Sequence, residues 1–161
     1  MMNEERASAS EIEGAVETVC GRHGNTPSEL IEILHDLQDM LGYVPESALP
    51  VLAKKLNLSR AEVHGVVSFY HDFRHNPAGR VTVKICSAEA CQSMGALPLI
   101  EEFCRRNGVT MGETKGDGSL TVEPVYCLGN CALSPAAEVN GRPMARVDAA
   151  KLDAAVKEAL V

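Results

Sequence analysis

Four of the six cysteines fall into two close pairs, and thiolates so placed can hold a metal or carry redox chemistry. Cys86 and Cys91 are separated by four residues, and Cys127 and Cys131 by three. Each pair begins where a strand-like run gives way to loop sequence, so the thiolates can project into one shared site without breaking a ladder. Gly95 follows the first pair and Gly129 lies within the second, allowing close backbone approach and amide hydrogen bonds to sulfur. A helix opening just after Cys91 would direct its positive end toward the site and favour bound negative charge. Structural zinc takes four thiolates, usually on tighter knuckles. A 2Fe-2S cluster also takes four, two per iron, and accepts varied spacing because its ligands serve two metals. Its reduction adds charge that amide dipoles and limited solvent must stabilise. A dithiol oxidoreductase calls for the C-x-x-C spacing ahead of a helix, which neither pair has. The cluster is therefore preferred, with zinc second and a redox dithiol third. Simple burial does not explain two pairs at strand ends.

The remaining reactive side chains read as structural. Cys20 lies on the apolar stripe of one helical segment and Cys104 beside Phe103 on another, so both are expected in cores. His23, His35, His64, His71 and His75 are scattered; His71 and His75 lie four apart but straddle a helix end. Glu11, Glu13, Glu17, Glu101 and Glu102 look like solvated faces. No phosphate-binding glycine loop or Ser, His, Asp ordering stands out.

The chain that must position these thiols has 161 residues, enough for one domain or two small units with a buried core, so neither a disulfide nor a metal is required for folding alone. Its formal net charge of -7 argues against nucleic acid or an anionic membrane surface as partner. No stretch approaches the roughly 20 apolar residues of a membrane-spanning helix, and Met1 to Ser10 is polar, without the apolar centre of a secretory signal. A soluble, cytoplasmic protein without direct membrane contact is expected, and reduced cysteines with it.

The hydrophobic period changes near residue 80. Before it every pattern reads as helix. Ser10 and Glu13 form a capping box ahead of Ile12, Ala15, Val16, Val19 and Cys20; Thr26, Pro27 and Glu29 open a second helix through Leu30, Ile33, Leu34, Leu37, Met40 and Leu41, stopped by Gly42. A third is expected from Pro45 to Leu56 despite Pro50, and a fourth from Ser59 with Glu62, carrying Val63, Val66, Val67 and Tyr70. After the break at His75 to Gly79, Val81, Val83 and Ile85 alternate as a strand does. A helix over Ala96 to Asn107 follows, then strands over Leu120 to Tyr126, Ala137 to Val139 and Pro143 to Val147, the last two joined by Asn140-Gly141, a hairpin signal. Asp148 caps a closing helix. An α+β chain results: an N-terminal helical bundle over 1–79, then a small sheet with helices over 80–161.

The run from Leu37 to Phe73 (LQDMLGYVPESALPVLAKKLNLSRAEVHGVVSFYHDF), the loop CSAEACQSMG at Cys86 to Gly95 and the loop CLGNCALSPA at Cys127 to Ala136 resemble the thioredoxin-like 2Fe-2S subunits of NADH-dehydrogenase-type complexes. That group includes the small 2Fe-2S subunit of complex I, the diaphorase subunit of NAD-linked hydrogenases and the gamma subunit of soluble NAD-dependent formate dehydrogenases. The short length and the form AEACQSMG look most like the last. The resemblance implies a helical bundle followed by a thioredoxin-like 2Fe-2S ferredoxin domain, with Cys86, Cys91, Cys127 and Cys131 as ligands of one cluster. It further implies an electron-transfer subunit, not a self-contained catalyst. Its partners would be a subunit carrying FMN and NAD and a catalytic subunit with a molybdenum or tungsten centre, and a homodimer of the isolated chain is compatible with it. The same subunit type in a hydrogenase or complex I, or a zinc-stabilised interaction module, are the alternatives. Complex I relatives commonly carry a small residue at Asn130 and an Asn-Ala-Pro-Met run where this chain has Leu133, Ser134, Pro135 and Ala136, departures that bear on potential and partner contact. Helices around Tyr43, Phe69, Tyr70 and Phe73 are expected to form part of the docking surface, since aromatics are few elsewhere, with packing into the core as the alternative.

Overall fold

The computed structural model describes residues 7–161, so most of the expectation for Met1 to Ser10 lies outside the described residues. The described residues divide into two compact units between Pro77 and Ala78. They contain seven α-helices and four strands. None of the helices is long and apolar enough to cross a membrane.

The first unit is helical: α1 (Ala9–Arg22), α2 (Leu30–Leu41), α3 (Ala48–Leu56) and α4 (Arg60–Phe69), with a 3-10 turn at Pro27–Glu29. Its core gathers one stripe from each helix, including Val16, Val19 and Cys20, Ile33, Leu34 and Leu37, Leu52 and Leu56, and Val63 and Val67. The capping box of α4 is as expected, with the Ser59 hydroxyl accepting from the Glu62 amide at 3.1 Å and the Glu62 carboxylate accepting from the Ser59 amide at 2.8 Å.

At α1 the expected cap is displaced. The box is Ser8 with Glu11, not Ser10 with Glu13. Both serines satisfy the motif, and the upstream one adds two residues to the helix while Ile12 stays on the buried face. Thr26 makes no side-chain cap bond, because the chain first takes a 3-10 turn before α2. Helix α3 begins at Ala48, three residues later than expected. Pro45 to Ser47 instead form a turn closed by the Ala48 amide on the Pro45 carbonyl at 2.9 Å. That start places Pro50 in the first turn, where its missing N–H breaks no helical bond.

For Tyr43 and Phe73 the alternative, core packing, holds in place of the docking surface; both are nearly fully buried. The cause is a tie between distant segments. The buried Gln38 side chain donates to the Asp72 carbonyl at 2.8 Å and accepts from the Arg74 amide at 2.7 Å, while the Val44 amide donates to the Arg74 carbonyl. The segment after α4 is thereby drawn down over α2. Phe69 and Tyr70 are exposed, as expected, and line an open apolar groove of about 570 Å³ with Leu30, Ile31 and Val66.

The second unit holds the sheet. Its strands β1 (Val81–Cys86), β2 (Leu120–Val125), β3 (Ala137–Val139) and β4 (Arg142–Met144) lie in the order β2-β1-β3-β4. β2 runs parallel to β1, with Cys86 opposite Val125, and β3 antiparallel to it, with Ile85 opposite Ala137. The crossover from β1 to β2 carries the short α5 (Glu89–Ser93) and α6 (Ala96–Asn107), and α7 (Ala149–Ala159) closes the chain. Asn140 and Gly141 turn the β3–β4 hairpin with φ of 46° and 79°, the paired positive values a two-residue turn of this kind demands.

Val81, Val83 and Ile85 pack with Leu99, Ile100 and Phe103 of α6 and Leu152 and Val156 of α7. Strand alternation places Cys86 in the row of Thr82 and Lys84 instead. Cys86 therefore leaves that core and joins a separate cluster with Cys91, Ala96 and Ala136.

Candidate metal centre

All four paired cysteines lie at the end of the sheet where β1 and β2 finish. Cys86 is the last residue of β1, and its amide donates to the Ala136 carbonyl at 3.0 Å. Cys91 lies inside α5, not ahead of a helix as the sequence suggested. The next helix, α6, starts five residues on at Ala96, beside both cysteines in the same cluster. Two residues past β2, the second loop begins with Cys127, and Cys131 opens a 3-10 turn to Leu133.

Burial separates the pairs. Cys86 and Cys91 are each 2% exposed, whereas Cys127 and Cys131 are solvent-exposed. The other two cysteines stand apart: Cys20 is fully buried in the helical core, and Cys104 is half-buried against the sheet core.

Hydrogen bonding is directed at sulfur. Backbone amides of Ala88 and Leu128 bond Cys86 Sγ, that of Ala136 bonds Cys91 Sγ, and the Gly129 amide donates to Cys127 Sγ at 3.3 Å. Leu128 belongs to the second loop, so its amide ties that loop to the first pair. Gly129 holds φ at +72°, which aims its amide inward without the penalty a side chain would carry. Cys127 has φ of 152°, a backbone region that non-glycine residues seldom occupy and that tends to mark functional positions.

Burial pushes the Cys86 thiol up despite its amide bonds, and its own bond to Cys91 adds to the rise. Burial acts on Cys91 too, but its hydrogen bonding with Ser134, the Ala136 amide and Cys86 outweighs it and brings that thiol down. Cys131 is raised, chiefly by its bond to Cys127 and by repulsion from the same sulfur.

The Cys127 and Cys131 sulfurs lie 3.9 Å apart, close to the ~3.8 Å edge of a tetrahedron of metal–sulfur bonds about 2.3 Å long. Among the described residues no three His, Cys, Asp or Glu side chains converge on one metal-ion position. The donor set is thus two pairs of cysteines at one sheet end, and the Cys127–Cys131 pair has the separation one tetrahedral ion requires. Four thiols, amides aimed at sulfur and an apolar floor fit a cluster with two irons.

Ser134 is a contributor that the sequence marked only as a departure from relatives. It is buried, its hydroxyl donates to the Cys131 carbonyl at 2.7 Å, and its Oγ lies 3.5 Å from Cys91 Sγ. Its place three residues after Cys131 is the signal that could have pointed to it. The exposed apolar side chains Met94, Tyr126 and Leu133 also flank the cysteine loops in sequence.

Comparison with known proteins agrees with this geometry. The pattern of the thioredoxin-like 2Fe-2S ferredoxin family matches residues 16–160, and the chain belongs to that family. It is 35% identical over 106 residues to a subunit of the NADH-quinone oxidoreductase of Pseudomonas aeruginosa, a match covering 66% of this chain and 64% of the relative. It is 32% identical to the HndA subunit of the NADP-reducing hydrogenase of Solidesulfovibrio fructosivorans, covering 66% of this chain and 62% of the relative. The chain thus spans just under two thirds of the length of these relatives. A chain of the crystal structure of an air-oxidised NAD+-reducing NiFe hydrogenase superposes with a TM-score of 0.69 at 30% identity, covering 84% of this chain and 23% of that one.

Proposed function

We propose that this member of the thioredoxin-like 2Fe-2S ferredoxin family carries one cluster on Cys86, Cys91, Cys127 and Cys131, and serves as an electron-transfer subunit of an NAD-linked oxidoreductase complex. The observation that carries the reading is the pairing: two sulfur pairs at one sheet end, with amides directed at three of the four sulfurs and, among the described residues, no third ligand at either pair. The names of the relatives, subunits of NADH-quinone oxidoreductases and of NAD- and NADP-reducing hydrogenases, support the class of complex.

The bound cluster supplies one-electron redox capacity. The chain's own residues hold, orient and shield it. Cys86 and Cys91 fix one side within an apolar pocket; amides of Ala88, Leu128, Gly129 and Ala136 compensate negative charge on sulfur; and the exposed second pair leaves the other side open to an electron partner. That partner would be a flavin- and NAD-binding subunit, with substrate oxidation in a third subunit. Within this class, the AEACQSMG form of the first loop favours a cytoplasmic NAD-dependent formate dehydrogenase, whose catalytic subunit would hold molybdenum or tungsten.

Two measurements test this. Purified aerobically or reconstituted with iron and sulfide, the protein is expected to be brown and to bleach with dithionite, with two irons and two sulfides per chain. A colourless chain holding one zinc would overturn the cluster and favour a structural module. For the parent complex, the native assembly is expected to couple formate to NAD+ reduction. Coupling of hydrogen or quinone instead would move it to another branch of the class.

A further inference from the structure

Resting on the ligand assignment above, we propose that the Ser134 hydroxyl donates a hydrogen bond to Cys91 Sγ in the loaded protein and raises the cluster's reduction potential. Ser134 is 8% exposed and lies between the two pairs, with Oγ 3.5 Å from Cys91 Sγ and 2.7 Å from the Cys131 carbonyl oxygen. A hydroxyl has one proton to give and two lone pairs to accept with. While Cys91 is a thiol, its S–H points at Oγ and the hydroxyl proton goes to the carbonyl. Ligation removes the sulfur proton. The two atoms then remain in reach with only the hydroxyl able to donate, and the charged sulfur competes with a neutral carbonyl for that proton.

Charge decides the competition, because hydrogen bonds to ionised acceptors are about twice as strong as neutral ones. Apolar neighbours Ala88, Ala96, Ala136, Val125 and Leu128 keep the local dielectric low, which strengthens the bond further. Reduction adds an electron and increases negative charge on the ligand sulfurs, so the bond is worth more in the reduced state than in the oxidised one. A differential bond of this kind favours reduction. Ser134 touches a ligand and not a substrate, so its role is to tune and position.

The test uses the cluster-loaded full chain. Ser134→Ala is expected to retain the cluster yet disfavour its reduction about tenfold, equivalent to a midpoint roughly 59 mV lower in a one-electron titration followed by electron paramagnetic resonance. In resonance Raman spectra it is expected to lose the deuterium-sensitive shift of one Fe–Sγ stretching band. Ser134→Thr, which keeps the hydroxyl, is expected to restore both. If Ser134→Ala does not hold the cluster, Ser134→Thr against the isosteric Ser134→Val makes the same comparison. An unchanged midpoint and unchanged bands on loss of the hydroxyl would overturn the proposal while leaving the cluster assignment standing. A wild-type chain without iron would instead overturn the assignment itself.

Discussion

The two cysteine pairs carry the same chemistry in opposite surroundings. Cys86 and Cys91 are walled in by Ala96 and Ala136 and anchored by a strand end and a short helix, whereas Cys127 and Cys131 sit on an exposed loop and a 3-10 turn. One pair makes a dry floor and the other an open rim. On the proposed ligand assignment, the floor would limit water around developing charge and the rim would give a partner access. With a cluster bound as proposed, such an asymmetric site would suit through-surface electron exchange better than a uniformly buried one, which would isolate its electrons. Amide bonds cross the divide: the Leu128 amide, from the rim loop, bonds the floor cysteine Cys86.

The largest expected effect removes the comparison altogether. Cys91→Ala on the floor and Cys131→Ala on the rim are each expected to lose nearly all iron, sulfide and visible absorption, while Cys104→Ala keeps them. A Cys131→Ala protein with wild-type colour, or a colourless Cys104→Ala protein, would show that the ligands are wrongly assigned.

A smaller effect sharpens the contrast in accessibility. In cluster-free protein, iodoacetamide is expected to modify Cys127 and Cys131 at least about tenfold faster than Cys86 and Cys91, because the floor must open locally before reagent can enter. Mass spectrometry of tryptic peptides over time reads the rates; equal rates at all four would erase the distinction.

Smallest is the difference in packing. Cys91→Ala leaves a void against Ala96 and Ala136 and is expected to lower the unfolding free energy of the cluster-free chain by about 1 kcal/mol, the scale of losing one buried heavy atom. Cys131→Ala, at an exposed site, is expected to stay within about 0.5 kcal/mol of wild type. Urea titrations of the two variants decide whether the floor contributes to folding or only to ligation.

Much of the architecture was legible because its signals are local. Ser59 with Glu62, Asn140 with Gly141 and Asp148 ahead of α7 each act within a few residues, and each does so in the structure as its spacing suggests. Locality also explains the errors. Ser8 and Ser10 offer the same motif two residues apart, and the upstream one, which lengthens the helix by two residues, is the cap that forms. Tyr43 and Phe73 carry no local mark of burial; the tie through Gln38, more than thirty residues from Asp72 and Arg74, puts them in the core. The short helix α5 escaped notice because five residues are too few for a periodic pattern.

By itself the sequence determined that four thiols occur as two pairs, each at the end of a strand, since spacing and alternation are properties of neighbours along the chain. Only the tertiary structure decided which pair is buried, which amides face which sulfur, and that Ser134 stands beside a cysteine 43 residues away. Burial and hydrogen-bond partnership arise where distant segments meet, here Ala136 and Leu128 closing on the end of β1, and that meeting is fixed by packing of the sheet against α6 and α7.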